Sequence, residues 1–222
     1  MSKNTIFKDT TPFDQTTAAE LKTIIDNNLI MLGVSSVKVG SDKKILNDLD
    51  LQLELSKVSK FFGTSDDKDT RVELRSFFEG QGFEAKRNGI NVFVRVPLHD
   101  SAHQVDLEVI HNVNKIARYH QHTIPDGSPF KGVSKQLLIG ALAKDAGFVY
   151  SAWEGLFIRN ADNKKGQLYA IDWDDIAEIL LGPKATGEDL DSVEAILAKL
   201  PKQQGLEVLN RCRLDKNWYE NI

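Results

Sequence analysis

Two stretches of strictly alternating hydrophobic and polar residues stand out in the first half of the chain. Leucine occupies every second position from Leu49 to Leu55, and apolar residues alternate with polar ones within 103–110. Because successive side chains of a β-strand point to opposite faces of a sheet, both stretches are predicted to be strands with one apolar and one polar face. The other strands predicted in this half are 35–39 and the arms of a hairpin, 83–87 and 90–97, joined by a type I′ turn at Asn88-Gly89.

Helical periodicity is found around these strands and throughout the second half. Residues 16–33 begin with two threonines that can cap a helix, place apolar residues three or four positions apart, and end at Gly33. Residues 69–80 follow the same spacing. In the second half the predicted helices are 133–146, 172–181, 188–200 and 203–216, and the predicted short strands are 155–159 and 167–171. The pattern predicts an α/β (α+β) fold, with a mixed sheet flanked by helices and a helical C-terminal region.

The same pattern divides the chain into three predicted parts. Residues 1–15 are polar and lack periodicity, so they are expected to form an N-terminal arm anchored by Phe7 and Phe13. Residues 16–125 contain the predicted sheet, and the mostly helical region takes up residues 126–222. A length of 222 residues, with 41% hydrophobic and 27% charged residues, is typical of a folded globular chain of one or two domains.

Charge, cysteine content and hydropathy exclude several classes of function. Lys and Arg number 28 against 32 Asp and Glu, and the net charge of −4 argues against a surface that coats nucleic acid. The single cysteine, Cys212, excludes an intramolecular disulfide and a cysteine-rich zinc site. The N-terminus lacks the apolar core of a signal peptide, and apolar stretches such as 137–143 are too short to span a bilayer. We therefore expect a cytoplasmic protein with no membrane partner.

Three aspartates on two predicted strands are the strongest chemical signal. Asp48 and Asp50 are two positions apart, so a strand places them on one face, opposite the leucines. Asp106 lies on the polar face of the second alternating strand. Carboxylate oxygens are preferred ligands of Mg²⁺ and Mn²⁺, and three carboxylates can hold two ions that align an attacking hydroxyl with a triphosphate. A solvated strand face without a metal is the alternative.

Residues near the aspartates, and others at the start of a later helix, could hold phosphate. Gly40 follows a predicted strand and lets the backbone approach a ligand closely, and the Ser41 hydroxyl can contact phosphate oxygens. The lysines that follow add positive charge. A predicted helix start in the second half offers backbone amides to an anion, although a solvated helix face is an equal alternative there. The candidate nucleotide-binding residues are Gly40, Ser41, Lys43, Lys44, Lys131 and Lys135.

At these residues the chain resembles the polymerase β-like nucleotidyltransferase superfamily. The mark of that superfamily is a strand ending in Gly-Ser, then Asp-x-Asp, then a strand-borne Asp, and this chain has VKVGSDKKILNDLDLQL followed by HQVDLEVI. The later segments SPFKGVSKQLLIGALAK and GLFIRN resemble small nucleotidyltransferase-like proteins that are common in bacteriophage genomes. The resemblance implies a metal-dependent enzyme that transfers a nucleoside monophosphate from NTP to an acceptor hydroxyl and releases pyrophosphate.

The resemblance also implies a role for each residue of the motif. Gly40 and Ser41 would hold the triphosphate. Asp48 and Asp50 would bind two Mg²⁺ or Mn²⁺ ions, and Asp106 would bind metal and activate the acceptor hydroxyl. The acceptor could be an RNA such as tRNA, a protein or a small molecule. Residues 16–125 would then be the catalytic domain, and a phage-encoded enzyme would act in the host cytoplasm.

Two departures from the superfamily pattern favour a second hypothesis. Only six residues separate Ser41 from Asp48, fewer than is usual, and Asp42 adds a negative charge directly after the Gly-Ser pair. These departures favour a catalytically weakened fold that acts as a nucleotide-binding or interaction module in a phage-encoded assembly. Two other acids, Glu54 and Glu108, are expected on the surface because they lie further along their strands.

Overall fold

The computed structural model describes residues 6–41, 43–122, 124–125 and 127–220 of the chain. The protein is mixed α+β, with 45% of residues in helices and 26% in strands, and the predicted fold class is confirmed. The chain forms two compact units, Met1–Val113 and Asn114–Ile222. Residues 114–125, which were predicted to continue the first domain, belong to the second unit. No helix within the described residues is long and apolar enough to cross a membrane.

A five-stranded mixed sheet organises the first unit. The strands of this unit are β1 (Phe13–Asp14), β2 (Val37–Lys38), β3 (Gly40–Ser41), β4 (Ile45–Leu46), β5 (Asp48–Glu54), β6 (Glu84–Asn88), β7 (Asn91–Leu98) and β8 (Ser101–Ile110). The helices are α1 (Gln15–Leu29), α2 (Leu55–Phe62) and α3 (Asp67–Gly80), with a 3-10 turn at Ile30–Leu32. The sheet has the order β2-β5-β8-β7-β6. Strands β5 and β8 run parallel, and the other neighbouring strands are antiparallel.

The apolar face of this sheet forms the core of the first unit. Residues 49, 51 and 53 of β5 and residues 105, 107 and 109 of β8 are buried in one hydrophobic cluster. Helix α1 contributes Leu21 and Ile25 to the cluster, and α3 contributes Leu74 and Phe78. The predicted arm also has both aromatic anchors buried. The alternation in the sequence therefore fixes which side of each strand faces the core, as the period of two requires.

Two local features of the first unit differ from the prediction. The hairpin between β6 and β7 pairs Asn88 with Asn91, so its turn residues are Gly89 and Ile90 rather than Asn88-Gly89. Only Gly89 has a positive φ there, 58°, as the first central residue of a type II′ turn requires, whereas type I′ needs two such residues. Helix α2 was not predicted. It begins directly after β5, where the apolar spacing changes from two to three within the run 53–58.

The second unit joins a small sheet to several helices. Its strands are β9 (Gln121–His122), β10 (Phe148–Ser151), β11 (Gly155–Arg159) and β12 (Lys165–Ala170), and the last three form an antiparallel sheet in this order. The helices are α4 (Val113–His120), which starts at the last residue of the first unit, α5 (Gly132–Asp145), α6 (Trp173–Leu181), α7 (Val193–Lys199), α8 (Lys202–Arg211) and α9 (Asn217–Glu220), with a 3-10 turn at Gly187–Leu190. Helix α5 and strand β10 are in contact.

Two long helices predicted for the second unit are each interrupted. The segment 188–200 is a 3-10 turn followed by α7, because the Ser192 side chain accepts a hydrogen bond from the Ala195 amide and starts a new helix. The segment 203–216 divides into α8 and α9, and Arg213 adopts a φ of 55° between them. Hydrophobic spacing continues through both interruptions, so periodicity alone did not reveal them.

Candidate functional site

The parallel pairing of β5 with β8 brings the predicted aspartates to one face of the sheet. Asp50 lies directly opposite Asp106 in the register, and Asp48 lies opposite Gln104. Leu49 and the other apolar residues of β5 point to the opposite face. Adjacent strands are about 5 Å apart, so Asp50 and Asp106 are direct neighbours, and Asp48 is the next residue along the same face. The polar face of two central strands therefore carries a row of acids.

Burial and mutual repulsion raise the pKa values of these carboxyl groups. Burial, followed by the charge of Asp48, raises the pKa of Asp50 to about 7. Burial, followed by the charge of Asp50, raises the pKa of Asp106 to about 8, although a hydrogen bond from Gln104 opposes the change. Burial also raises the pKa of Asp48. Ionising all three groups at neutral pH is therefore costly unless a positive charge is supplied.

Gly40 lies against one of these carboxylates. A Cβ atom at this position would be 3.1 Å from Oδ2 of Asp50, and the φ of Gly40 is +93°, a conformation that favours glycine. The neighbouring Val39 amide donates to the Asp50 carbonyl at 3.1 Å. A glycine at this position thus lets the backbone pass close to the carboxylate. The structure brings together two residues that the sequence predicted for the site, Gly40 and Asp50.

A fourth acid lies on the same face and was missed by the sequence-based expectation. Glu108 is only 6% exposed, and its Oε2 accepts a hydrogen bond of 3.0 Å from Nε2 of Gln52. Burial, followed by the charge of Asp50, raises the pKa of Glu108 to about 8. The expectation that Glu108 lies on the surface was wrong, because the polar face of β8 is buried along most of its length. The alternation that predicts Asp106 on the polar face of β8 also predicts Glu108 on this face, two positions further along, so the sequence did contain a signal for this residue.

The candidate phosphate ligands of the first unit lie only partly within the described residues. The side chain of Ser41 and the whole of Asp42 lie outside the described residues. Lys43 and Lys44 are exposed. The carbonyl oxygen of Lys43 accepts a hydrogen bond of 2.6 Å from Nε2 of Gln15, which ties the loop to the start of α1.

The other two candidate lysines belong to the second unit. Lys131 is exposed and directly precedes α5. Lys135 is 2% exposed, and its Nζ donates a hydrogen bond of 2.7 Å to the Gln121 carbonyl oxygen. Burial lowers the pKa of Lys135 to about 8. Lys135 therefore has an internal partner, whereas Lys131 is accessible to solvent.

The donors on the polar face suit a hard divalent cation in their chemistry. Asp48, Asp50, Asp106 and Glu108 offer only oxygen atoms, the ligands that Mg²⁺ and Mn²⁺ prefer. Among the residues that the structure describes, no lysine or arginine forms an ion pair with any of the four. In the same part of the chain, no three His, Cys, Asp or Glu side chains are already gathered closely enough to hold a metal ion. The acids fit the cation in donor type and charge, and side-chain rotation would have to complete the coordination.

Comparison with known proteins adds no further identification. No protein-family model matches the chain, and no curated protein sequence matches it. The functional conclusion therefore depends on the geometry and chemistry of the acidic face.

Proposed function

We propose that this chain is a metal-dependent nucleotidyltransferase that moves a nucleoside monophosphate from an NTP to an acceptor hydroxyl. The observation that carries the proposal is the direct pairing of Asp50 with Asp106 in adjacent parallel strands, with Asp48 on the same face. Gly40 next to Asp50 supports it, because the absence of a Cβ lets the main chain of the Gly-Ser segment lie close to the carboxylate. Buried acids without cationic partners are costly to the fold, and such costly groups are concentrated at functional sites.

The proposed roles follow from these positions. Asp48, Asp50 and Asp106 would hold Mg²⁺ or Mn²⁺. A bound divalent cation stabilises charge on phosphate oxygens and makes a hydroxyl a better nucleophile. The main chain at Gly40 would let the triphosphate approach, and Lys43, two residues after Ser41, would contribute positive charge to the phosphate-binding loop.

The proposed reaction balances without any further reactant. The acceptor oxygen forms a bond to the α-phosphorus of the NTP, and the bond from that phosphorus to the bridging oxygen breaks. Pyrophosphate leaves with the electron pair, and the proton of the acceptor hydroxyl passes to the Asp106 carboxylate and from there to solvent. The chain contributes by orienting the reactants and by arranging charge around them.

A nucleotide-binding or interaction module built on the same fold is the second candidate. The raised pKa values of Asp50 and Asp106 favour it, because protonated carboxyl groups let the cluster persist without a cation. Such a module would bind nucleotide without releasing pyrophosphate. The two candidates therefore differ in turnover rather than in fold.

Label transfer from NTPs distinguishes the two candidates. Each NTP, labelled at the α-phosphate, is incubated with the protein and Mn²⁺ in three arms, which contain tRNA, a host protein fraction and a small-molecule fraction. Wild type is expected to label one arm and to release pyrophosphate, and Asp106→Asn is expected to do neither. Glu84→Gln is the matched control, because Glu84 is an exposed acid of the same sheet that pairs with Lys86. Nucleotide binding without label in any arm would favour the module.

A further inference from the structure

Gln104 connects the acidic face to the N-terminal segment of the chain. Its side chain is completely buried in β8. Oε1 accepts a hydrogen bond of 2.8 Å from the Ile6 amide, and a longer one of 3.4 Å from the Phe7 amide. Nε2 donates a hydrogen bond of 2.8 Å to Oδ1 of Asp106. One side-chain amide therefore links two main-chain donors to one of the proposed metal ligands.

The segment that holds Gln104, residues 6–11, is fixed to the sheet at several points, and we call it the strap. Phe7 is buried, with Nζ of Lys86 lying 4.4 Å from the centre of its ring. Asp9 forms an ion pair with Arg95 of β7. At the end of the strap, the Thr11 amide donates to the Ala102 carbonyl oxygen at 2.9 Å. These contacts hold the strap over the edge of the acidic face where Gln104 lies.

The strap determines which end of the Gln104 amide faces Asp106. Main-chain N–H groups can only donate hydrogen bonds, so they select the oxygen of the amide and not its nitrogen. The NH₂ group must then point away from the strap, toward Asp106. A buried carboxylate oxygen that accepts such a bond is held in one orientation, since losing the bond would leave a buried polar group unsatisfied.

We propose that Gln104 is a positioning residue, held by the strap so that it fixes Oδ1 of Asp106 and presents Oδ2 of the same carboxylate to the divalent cation. This inference rests on the proposed function, because it assigns the cation to Asp106. Carboxylates that bind metals are commonly oriented by such hydrogen bonds, and removing the donor typically weakens metal affinity or activity. The strap would thus be a part of the site that lies outside the Gly-Ser and Asp-x-Asp motifs.

The first test replaces the amide by an apolar group of similar length. Gln104→Met removes both the acceptor for the strap and the donor to Asp106. We expect Mn²⁺ affinity, measured by calorimetry without NTP, to fall by about tenfold or more, the usual effect of losing such a partner. We expect kcat to fall by a similar factor while KM for NTP stays within about twofold, because Gln104 does not contact the nucleotide in this proposal.

The second test changes the strap and leaves Gln104 intact. Ile6→Pro removes the amide N–H that donates to Gln104, and Ile6→Val, which has the same number of side-chain carbons as proline, keeps this N–H. Only the proline variant is expected to weaken Mn²⁺ binding, by about threefold to tenfold. This pair keeps the inference testable even if Gln104→Met fails to fold.

A third measurement needs no metal. Amide hydrogen exchange in EDTA should show the Ile6 amide protected in wild type and unprotected in Gln104→Met. An unprotected Ile6 amide in wild type, or unchanged Mn²⁺ affinity in a folded Gln104→Met, overturns the positioning role and leaves the nucleotidyltransferase proposal standing. Wild type that neither binds Mn²⁺ nor transfers a nucleotide overturns both.

Discussion

The two faces of the five-stranded sheet affect the free energy of folding in opposite directions. On one face Leu49, Leu51 and Leu53 pack against helices, where removing apolar surface from water stabilises the fold. On the other face, one position away along the same strand, Asp48 and Asp50 carry carboxyl groups whose pKa values burial has raised. The apolar face needs no function to explain it. The acidic face lowers the stability of the metal-free fold, and the proposed function accounts for this cost because a bound cation would offset the charge of the acids.

The largest expected effect comes from substituting one residue of the acidic face. Asp50→Ala should reduce nucleotidyl transfer by about a hundredfold to a thousandfold, since it removes a group that arranges charge at the reaction centre. Its melting temperature without metal should not fall below that of wild type, because repulsion within the cluster is relieved. Steady-state transfer rates and thermal melts in EDTA measure the two effects. A clearly destabilised Asp50→Ala would mean that the carboxylate supports the fold.

Leu51, the neighbour of Asp50 on the apolar face, should lose stability and keep its activity when it is substituted. Leu51 is fully buried in the core, so Leu51→Ala should lower the free energy of unfolding by about 2–5 kcal/mol. The rate of transfer per folded molecule should change little. Urea unfolding and transfer assays at a temperature where the variant is folded provide the comparison. If Asp50→Ala and Leu51→Ala lost equal amounts of transfer activity, the acidic face would have no special role in the reaction.

The sequence predicts the faces of these strands but not how the strands pair. Alternation alone places Asp48 and Asp50 together, because a strand has a period of two. The placement of Asp106 beside Asp50 depends on strand order and register, which are long-range properties. Glu108 was expected on the surface because it lies further along its strand than Asp106. The expectation failed because burial of a polar face depends on what covers it, and the local pattern does not contain that information. Gln104 has no motif at all, since its role comes from a contact between Ile6 and a strand almost a hundred residues later.

Substituting Gly40, whose backbone lies next to Asp50, is expected to have a smaller effect on activity than substituting Asp50 itself. Gly40→Ala introduces a Cβ atom 3.1 Å from Oδ2 of Asp50, at a φ of +93°. Gly33 is the matched control, because its φ is +64° and a Cβ atom there has no neighbour within 4 Å. Both alanine variants should lose about 1 kcal/mol of stability from the positive φ. Only Gly40→Ala should also weaken Mn²⁺ binding and transfer, and an equal loss of Mn²⁺ affinity in Gly33→Ala would contradict the proposed contact.

The pH dependence of stability also distinguishes the acidic face from the apolar face. The pKa of Asp50 in the folded protein is about 7, above its ordinary value of 3.8, so the folded form holds a proton that the unfolded form has released between these values. The contribution of Asp50 to stability should therefore be greatest below pH 4, and in EDTA this contribution should fall by about 1 kcal/mol per pH unit as the pH rises toward 7. Asp106 and Glu108, whose pKa values are raised to about 8, add slopes of the same sign. Asp50→Asn cannot release this proton, so its free energy of unfolding should decrease less steeply with pH. In wild type, excess Mn²⁺ should also reduce the decrease, because the cation binds the ionised cluster. Urea unfolding at pH 5, 6 and 7 measures the slopes, with Glu84→Gln as the control that should follow wild type. Identical slopes in wild type and Asp50→Asn would show that Asp50 is already ionised in the metal-free fold, and the contrast between the two faces would then lose its electrostatic basis.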